Sequence, residues 1–487
     1  MIDVLLTHSY HLFHDRKQVR KMQPYPPLGT LYAAALLRDR GFSVALFDSM
    51  LDAPEKAFSD AVARTQPRIV AIYEDNFNFL SKMCLSRMQE VAFGMIDVAR
   101  AGGAKVVVNG SDASDRCSEY LNRGADYILL GEAEWTLLEL IGALTGRSAR
   151  DIDAIDGLAY LDLSQKSIIR TPARALMPTL DALPFPARDL ARISQYRNAW
   201  KRAHGFFSLN LVASRGCPYK CNWCAKPIYG NSFNVRSAAS VAAEMLELRD
   251  RFGADYLWFA DDLFGIQKQW VHDLAGHVEH LNAAVPFKMQ SRVDLMQRET
   301  VNALRRAGCA EIWMGVESGS QKILDAMEKG TRVSQVESAT EILKSNGIHA
   351  CFFVQFGYPG ETWADIEKTI QLVRRTRPDD VGVSVSYPLP GTGFYERVYE
   401  QMGAKTNWED SEDLSMMFKG AYQSEFYRAL HDAIHAEVES WSSPWRFGIA
   451  PPSRNSAPVQ QLWERVHGLE GSCRITDPTE IAQWTCS

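Results

Sequence analysis

The chain runs to 487 residues with an apolar fraction of 46% and a charged fraction of 23%, which excludes general disorder and exceeds what one ordinary core can serve. Lysine and arginine number 53 against 59 aspartate and glutamate, a net charge of −6 with no long basic run, so nucleic acid is not an expected partner. The opening Met-Ile-Asp-Val-Leu-Leu-Thr-His lacks the layout of a signal peptide and no 18 apolar residues run together, so a cytoplasmic protein without an integral membrane segment is expected.

In chain order, apolar runs at Asp3 to Thr7, Ser43 to Phe47, Ile69 to Tyr73, Lys105 to Val108 and Tyr127 to Leu130 are each followed by a helical segment. Five such βα units predict a doubly wound, Rossmann-like α/β domain over residues 1–146, which would take ligands beyond the carboxyl ends of its strands. The glycine-rich dinucleotide fingerprint is missing after the first strand, so the ligand is not an obvious dinucleotide. From 147 to 204 the text turns irregular, broken by Pro172, Pro178, Pro184 and Pro186, and reads as a connector. A second βα series over 205–394 has strands at Ser208 to Ala213, Tyr256 to Ala260, Phe287 to Ser291, Glu311 to Gly315, Cys351 to Gly357 and Val381 to Tyr387. It predicts a partial (β/α)6 barrel of the TIM type, with chemistry in the loops after its strands. Residues 395–487 read as a mixed, helix-leaning accessory region, whose Met416, Met417, Phe418, Tyr422 and Trp445 could roof an apolar pocket or be plain core.

The strongest chemical signal follows the first strand of the second series, in Arg215-Gly216-Cys217-Pro218-Tyr219-Lys220-Cys221-Asn222-Trp223-Cys224. Nine cysteines dispersed over a chain expected to be cytoplasmic argue for reduced thiols or metal ligands rather than a disulfide framework. Three of them within eight residues, on a loop at a barrel mouth, can supply three of the four ligands of an iron–sulfur cluster and leave one iron open to a reacting molecule. A zinc knuckle is the alternative and would want a fourth Cys or His, for which His204 is the one residue close in sequence.

The Cys-x-x-x-Cys-x-x-Cys loop resembles the signature of radical S-adenosylmethionine (SAM) enzymes. The resemblance implies a [4Fe–4S] cluster on Cys217, Cys221 and Cys224, whose open iron chelates the methionine part of SAM. One electron from an external donor such as flavodoxin or ferredoxin would then split the sulfonium to a 5′-deoxyadenosyl radical. Family members usually carry Phe or Tyr before the third Cys, where this chain has Trp223, and Tyr219 lies in the same loop. The family also implies contacts to SAM at later strand ends: Asp261 and Asp262 toward the amino group, Gln290 and Arg292 after the third strand, and Glu317 against ribose or amino group. Gly357, in Gly357-Tyr358-Pro359-Gly360-Glu361, stands where the family lets backbone approach the adenine. Helix caps, ion pairs and a tight turn explain the same residues without a ligand.

A doubly wound domain ahead of such a barrel resembles the cobalamin-binding class, which implies that Gly110, Ser111 and Asp112, with Gly131 and Glu132, line a corrin. The Asp-x-His-x-x-Gly loop of methionine-synthase-like domains is absent, and His8, His11 and His14 follow the first strand at the wrong spacing, so a corrin is expected without a protein imidazole below its cobalt. The class implies methyl transfer to an unactivated carbon of a small-molecule intermediate, with ring formation, ring contraction or oxidative cyclisation as the alternative. A non-catalytic electron-transfer or sensor protein is the second alternative. A methylthiotransferase of transfer RNA would need a second cysteine set, which Cys84 and Cys117 do not supply, and Cys351 is the remaining thiol placed in a barrel strand.

Overall fold

The computed structural model describes residues 2–51, 54–162, 164, 166–226, 228–442 and 458–475. The chain forms two compact units, one of Met1–Pro218, Lys226–Ser237 and Asn407–Glu412, the other of Tyr219–Ala225, Ala238–Thr406 and Asp413–Ser487.

In the first unit β1 (Ile2–Thr7), α1 (Arg16–Lys21), α2 (Leu28–Asp39), β2 (Val44–Phe47), α3 (Pro54–Thr65), β3 (Pro67–Tyr73), α4 (Phe79–Lys82), α5 (Ser86–Ala101), β4 (Lys105–Asn109), α6 (Ser111–Asp115), α7 (Cys117–Arg123), β5 (Tyr127–Leu129) and α8 (Glu134–Leu144) follow one another. The five strands pair in parallel in the order β2-β1-β3-β4-β5, the second of the two common doubly wound orders, which reverses between β1 and β3. Strands buried on both faces need continuous apolar runs, and Val-Leu-Leu, Ile-Val-Ala-Ile and Val-Val-Val supply them. Leu5, Val70, Val106 and Ile128 pack on one face, Val4, Leu6, Ile69, Ala71 and Val107 on the other.

The segment read as an irregular connector departs from that expectation. β6 (Leu158–Asp162) and β7 (Ser167–Arg170) add an antiparallel hairpin beside β5, and α9 (Ile193–His204) is a helix of 12 residues. The prolines sit outside these elements, and the strands are short, with β7 largely exposed, so their period-two pattern is weak. β8 (Ser208–Leu211) and the short pair β9 (Ser214–Arg215) and β10 (Asn234–Val235) complete the unit.

The second unit runs α10 (Ala238–Asp250), β11 (Tyr256–Phe259), α11 (Lys268–His280), β12 (Phe287–Ser291), α12 (Arg298–Arg306), β13 (Cys309–Glu317), α13 (Gln321–Ala326), α14 (Val333–Ser345), β14 (His349–Phe356), α15 (Trp363–Thr376), β15 (Asp380–Val385), α16 (Gly393–Val398), α17 (Ser424–Trp441) and α18 (Val459–Ser472). β11 to β15 pair in parallel in sequence order. Five of the six strands expected for the barrel are thus here, and β8 is counted with the first unit. Ile312, Met314, Phe352, Val354, Val381 and Val383 are buried along one face of the sheet. In the C-terminal region Phe418 joins the core of Ile323, Met327, Tyr358, Phe394 and Val398, and Tyr422 stacks on Phe426 at 4.2 Å. Trp445 lies outside the described residues.

Candidate functional site

The cysteine loop is held from both its ends. Arg215, two residues before Cys217, is buried and clamps two carboxylates: Nη1 lies 2.6 Å from Glu132 Oε1 and Nη2 lies 2.8 Å from Glu134 Oε1. Its guanidinium carbon lies 5.6, 5.4 and 5.3 Å from the ring centroids of Tyr32, Phe77 and Tyr229. Gly216 then turns with φ +79°, and a side chain there would put Cβ 2.3 Å from the Ser232 carbonyl, so the turn admits only glycine.

The other half of the loop is fixed within the second unit. Asn222 donates from its backbone to the Met327 carbonyl and from Nδ2 to the Ala326 carbonyl, while its Oδ1 accepts from the Tyr358 hydroxyl at 2.8 Å. Trp223, the departure from the family's usual Phe or Tyr, packs against the cluster of Ile323, Met327 and Phe394. Cys217, Cys221 and Cys224 are all half-buried, and none of them forms a disulfide.

Cations face this loop. Arg292, buried at the end of β12, has its guanidinium carbon 3.7 Å from the Tyr219 ring centroid and Nη1 4.0 Å from Cys221 Sγ. Asp294 holds the guanidinium in that pose through Nε at 2.9 Å and Nη2 at 3.2 Å. Lys329 was not picked out by the sequence reading. Its Nζ lies 5.9 Å from the Trp223 ring centroid and 2.8 Å from Glu317 Oε1. Burial works to lower its pKa, but Glu317 and Cys221 outweigh this and raise it, so Lys329 is a cation. Glu317 is buried with φ +61°, a conformation that costs a non-glycine residue about 1 kcal/mol or more and that clusters at functional sites.

The remaining expected contacts are placed as follows. Asp261 is buried after β11, its carbonyl accepting from Gln290 Nε2 at 2.8 Å, so Gln290 fastens two strand ends together; Asp262 is half-buried beside it. Gly357 has φ +78°, and a Cβ there would meet Met416 Cε at 3.0 Å and Tyr427 Cζ at 3.1 Å. Its amide donates to Glu361 Oε2 at 2.6 Å. Glu361 is buried with Oε1 lacking a hydrogen-bond partner, and burial pushes its pKa up to about 8. The Cys351 thiol, buried in β14, is pushed well above its ordinary value by burial and is no thiolate.

At the strand ends of the first unit, His8 is locked: Nε2 lies 3.1 Å from Asp48 Oδ1, and Ser49 Oγ lies 3.2 Å from Nδ1. Tyr196 donates to Asp48 Oδ2 at 2.6 Å. Burial raises the pKa of Glu74 and Asp75, whose carboxylates accept from the amides of Ser9 and Gly29. Asn76 Nδ2 donates to Asn109 Oδ1 at 2.7 Å, while Asn76 Oδ1 and Ser111 Oγ are buried with no hydrogen-bond partner. Asp112 is engaged by Tyr120, Gln89 and Arg116, and Glu132 by Arg215 and the Met177 amide. Gly110 backs onto Glu74, while a Cβ on Gly131 (φ +69°) would meet only the Ile228 carbonyl at 3.6 Å.

Residues 211–373 match the Radical SAM superfamily. An uncharacterized methyltransferase of Pyrococcus horikoshii is 26% identical over 83% of this chain and 88% of its own length. The anaerobic magnesium-protoporphyrin IX monomethyl ester cyclase of Rubrivivax gelatinosus is 25% identical over 80% of this chain and 68% of its own. Among solved structures, the radical SAM methyltransferase TsrM of Kitasatospora setae superposes with a TM-score of 0.67 at 19% identity over 83% of this chain and 77% of that one. The cobalamin-dependent radical enzyme OxsB gives 0.65 at 21% identity, with 78% of this chain covering 52% of OxsB. The α/β fold with its parallel sheet is the fold of these structures. Residues 211–373 therefore carry a radical SAM domain, and methyltransferases by name are among the relatives of the chain.

Proposed function

We propose that the chain cleaves SAM reductively on a [4Fe–4S] cluster held by Cys217, Cys221 and Cys224, and methylates an unactivated carbon of a small molecule with the help of cobalamin. The observation that carries this reading is the pair of buried cations, Arg292 and Lys329, at the cysteine loop. Three thiolates on a cluster concentrate negative charge, and a donor set of three half-buried sulfurs with cations beside it fits that group. When bound, the cluster supplies an electron to SAM and a corrin supplies a methyl carrier.

The chain's own residues do the rest. Arg292, made rigid by Asp294 and Tyr219, is placed for a carboxylate, and Glu317 with Asp262 for an ammonium or a ribose hydroxyl. Trp223 and its apolar neighbours keep water from the loop. In the first unit, Ser111 Oγ and Asn76 Oδ1 are buried polar atoms in want of partners, which suits a ligand rimmed with amides such as a corrin. His8, bonded to Asp48 and Ser49, would not be among the residues that hold a corrin.

The relatives named as a C-2 methylase of hopanoids and as bacteriochlorophyllide methyltransferases support methyl transfer, and the cyclase keeps ring formation as a second reading. Anaerobic loading with iron, sulfide and hydroxocobalamin, followed by reduction and addition of SAM, tests the proposal. Formation of 5′-deoxyadenosine together with a retained corrin spectrum is expected. Nucleoside without corrin would refute the methyl carrier, and no nucleoside from a loaded cluster would refute the radical chemistry.

A further inference from the structure

Phe353 sits in β14 with β13 and β15 paired on either side, yet 37% of it is exposed. The other exposed large apolar side chains among the described residues lie on helices, in loops or on the edge strand β7. Strand alternation puts Phe353 on the face opposite Phe352 and Val354, and the register places Gly315 and Gly382 level with it and Trp313 two residues down β13, on the same face. The rings of Trp313 and Phe353 stack at 4.8 Å with 28° between their planes. The indole nitrogen donates to the Glu311 carboxylate, which fixes the rotamer of Trp313.

Gly382 is what lets this pair lie flat. Its backbone is not in the left-handed region, so its conformation alone would admit another residue. A Cβ there would stand 2.9 Å from Phe353 Cδ1 and 3.4 Å from Trp313 Cζ3. The missing side chain is therefore space occupied by the rings. The platform also adjoins the site: a Cβ on Gly315 would meet Lys329 Nζ at 2.7 Å and Glu317 Oε1 at 2.8 Å. Gly315 is level with Phe353 and Glu317 is level with Val354, so one strand step of about 3.3 Å separates the rung of Phe353 from that of the ion pair.

We infer that Trp313, Phe353 and the bare Gly382 form a substrate subsite for a planar, conjugated ring, an inference that rests on reading this unit as the catalytic domain. A flat and partly open aromatic face rewards offset stacking of another π-system more than contact with a puckered saturated one. SAM carries one such ring itself, its adenine, and the experiment has to separate the two occupants.

The test compares binding of naphthalene-2-carboxylate and its decahydro counterpart to the full, cluster-loaded chain by saturation-transfer NMR and equilibrium dialysis, in the wild type and in Phe353→Leu. Gly382→Ala, which lifts the rings rather than removing one, serves as second variant should Phe353→Leu fold poorly by circular dichroism and iron content. The wild type should prefer the aromatic probe at least ten-fold, and either variant should cut that preference to three-fold or less. Equal binding of the two probes by the wild type, or a preference that survives both variants, overturns the subsite. So does a rise in the KM for SAM with an unaltered probe preference, which would assign the platform to the adenine. Ring preference is read from binding and the reaction class from 5′-deoxyadenosine formation, so an aromatic preference that the variants abolish, in a chain that forms no nucleoside, upholds the subsite and refutes the chemistry.

Discussion

The strand ends of the two units treat their polar groups in opposite ways. In the first, His8, Asp48, Ser49 and Tyr196 satisfy one another, and the buried atoms without a hydrogen-bond partner include the neutral Asn76 Oδ1 and Ser111 Oγ. In the second, a buried Glu317 is held in a strained backbone against Lys329, Arg292 approaches a cysteine, and an aromatic pair is left open on an interior strand. Self-satisfied networks make a rigid wall that a neutral ligand can line, whereas charge, strain and exposed apolar surface gathered together mark where chemistry is done. The contrast can be broken by substitutions that should injure activity in one unit and stability in the other.

The largest effect is expected at the cysteine loop. Cys221→Ala should lower 5′-deoxyadenosine formation by about three orders of magnitude or more, because a cofactor that carries the hard chemistry cannot be replaced by positioning alone. Its melting temperature before cluster loading should stay within a few degrees of the wild type, since the thiol is half-buried and makes no disulfide. A parallel loss of iron content and nucleoside is the check, and nucleoside formation that survives would remove Cys221 from the ligand set.

Arg215→Ala should do the reverse and act first on folding. It strands Glu132 and Glu134 in a buried site, and breaking a buried pair by removing one partner costs about 3–5 kcal/mol, measurable by urea unfolding before any cluster is loaded. Arg215→Lys keeps the charge but not the fork that reaches both carboxylates, so it should recover only part of the loss. A variant as stable as the wild type would show that the triad contributes nothing to the fold.

A pH series sharpens the comparison at Glu361. Its carboxyl has a pKa of about 8 in the folded chain against an ordinary value of 4.5, so the folded state holds the extra proton and stability is lost as pH rises from 4.5 through 8. The loss should be on the order of 2–3 kcal/mol after allowance for relaxation around the carboxylate. Asp365, four residues on, is held down at about 2 by Ser320, Thr362 and Lys322 against the opposing effect of burial, so its contribution is present above pH 4 and is lost as pH falls through 2. Glu361→Gln should flatten the neutral-to-alkaline limb and leave the acid limb in place. An alkaline limb unchanged in that variant would assign the dependence to another group.

How far these features could be read beforehand depends on the distance over which each is defined. The parallel strands of both units are local apolar runs, and their edges were legible to within a residue or two. The three cysteines are a local pattern as well. Arg215 with Glu132 and Glu134, or Glu317 with Lys329, are pairs set by folding, separated by 83, 81 and 12 residues, and nothing in the spacing of one partner points to the other. Trp313 and Phe353 were hidden for another reason. Both belong to apolar runs of buried strands, in which periodicity does not tell which face the helices will cover. The hairpin of β6 and β7 escaped because both strands are short and β7 is largely exposed.

The smallest effect, and the finest discrimination, is expected at Ser111. A buried hydroxyl without a hydrogen-bond partner costs about 1–3 kcal/mol on folding, so removing it as Ser111→Ala should leave stability within about 0.5 kcal/mol of the wild type or raise it. Asn109, which accepts from Asn76 and donates to the Leu129 carbonyl at 3.0 Å, has its polar groups engaged already, and Asn109→Ala should cost about 1–3 kcal/mol. If Ser111 Oγ waits for an amide-rimmed ligand, the variant that folds as well as the wild type should retain hydroxocobalamin several-fold less well through gel filtration, while still binding iron. A Ser111→Ala chain that is both less stable and equally retentive would mean that the hydroxyl serves the fold, and the open polar atoms of the first unit would then no longer argue for a ligand.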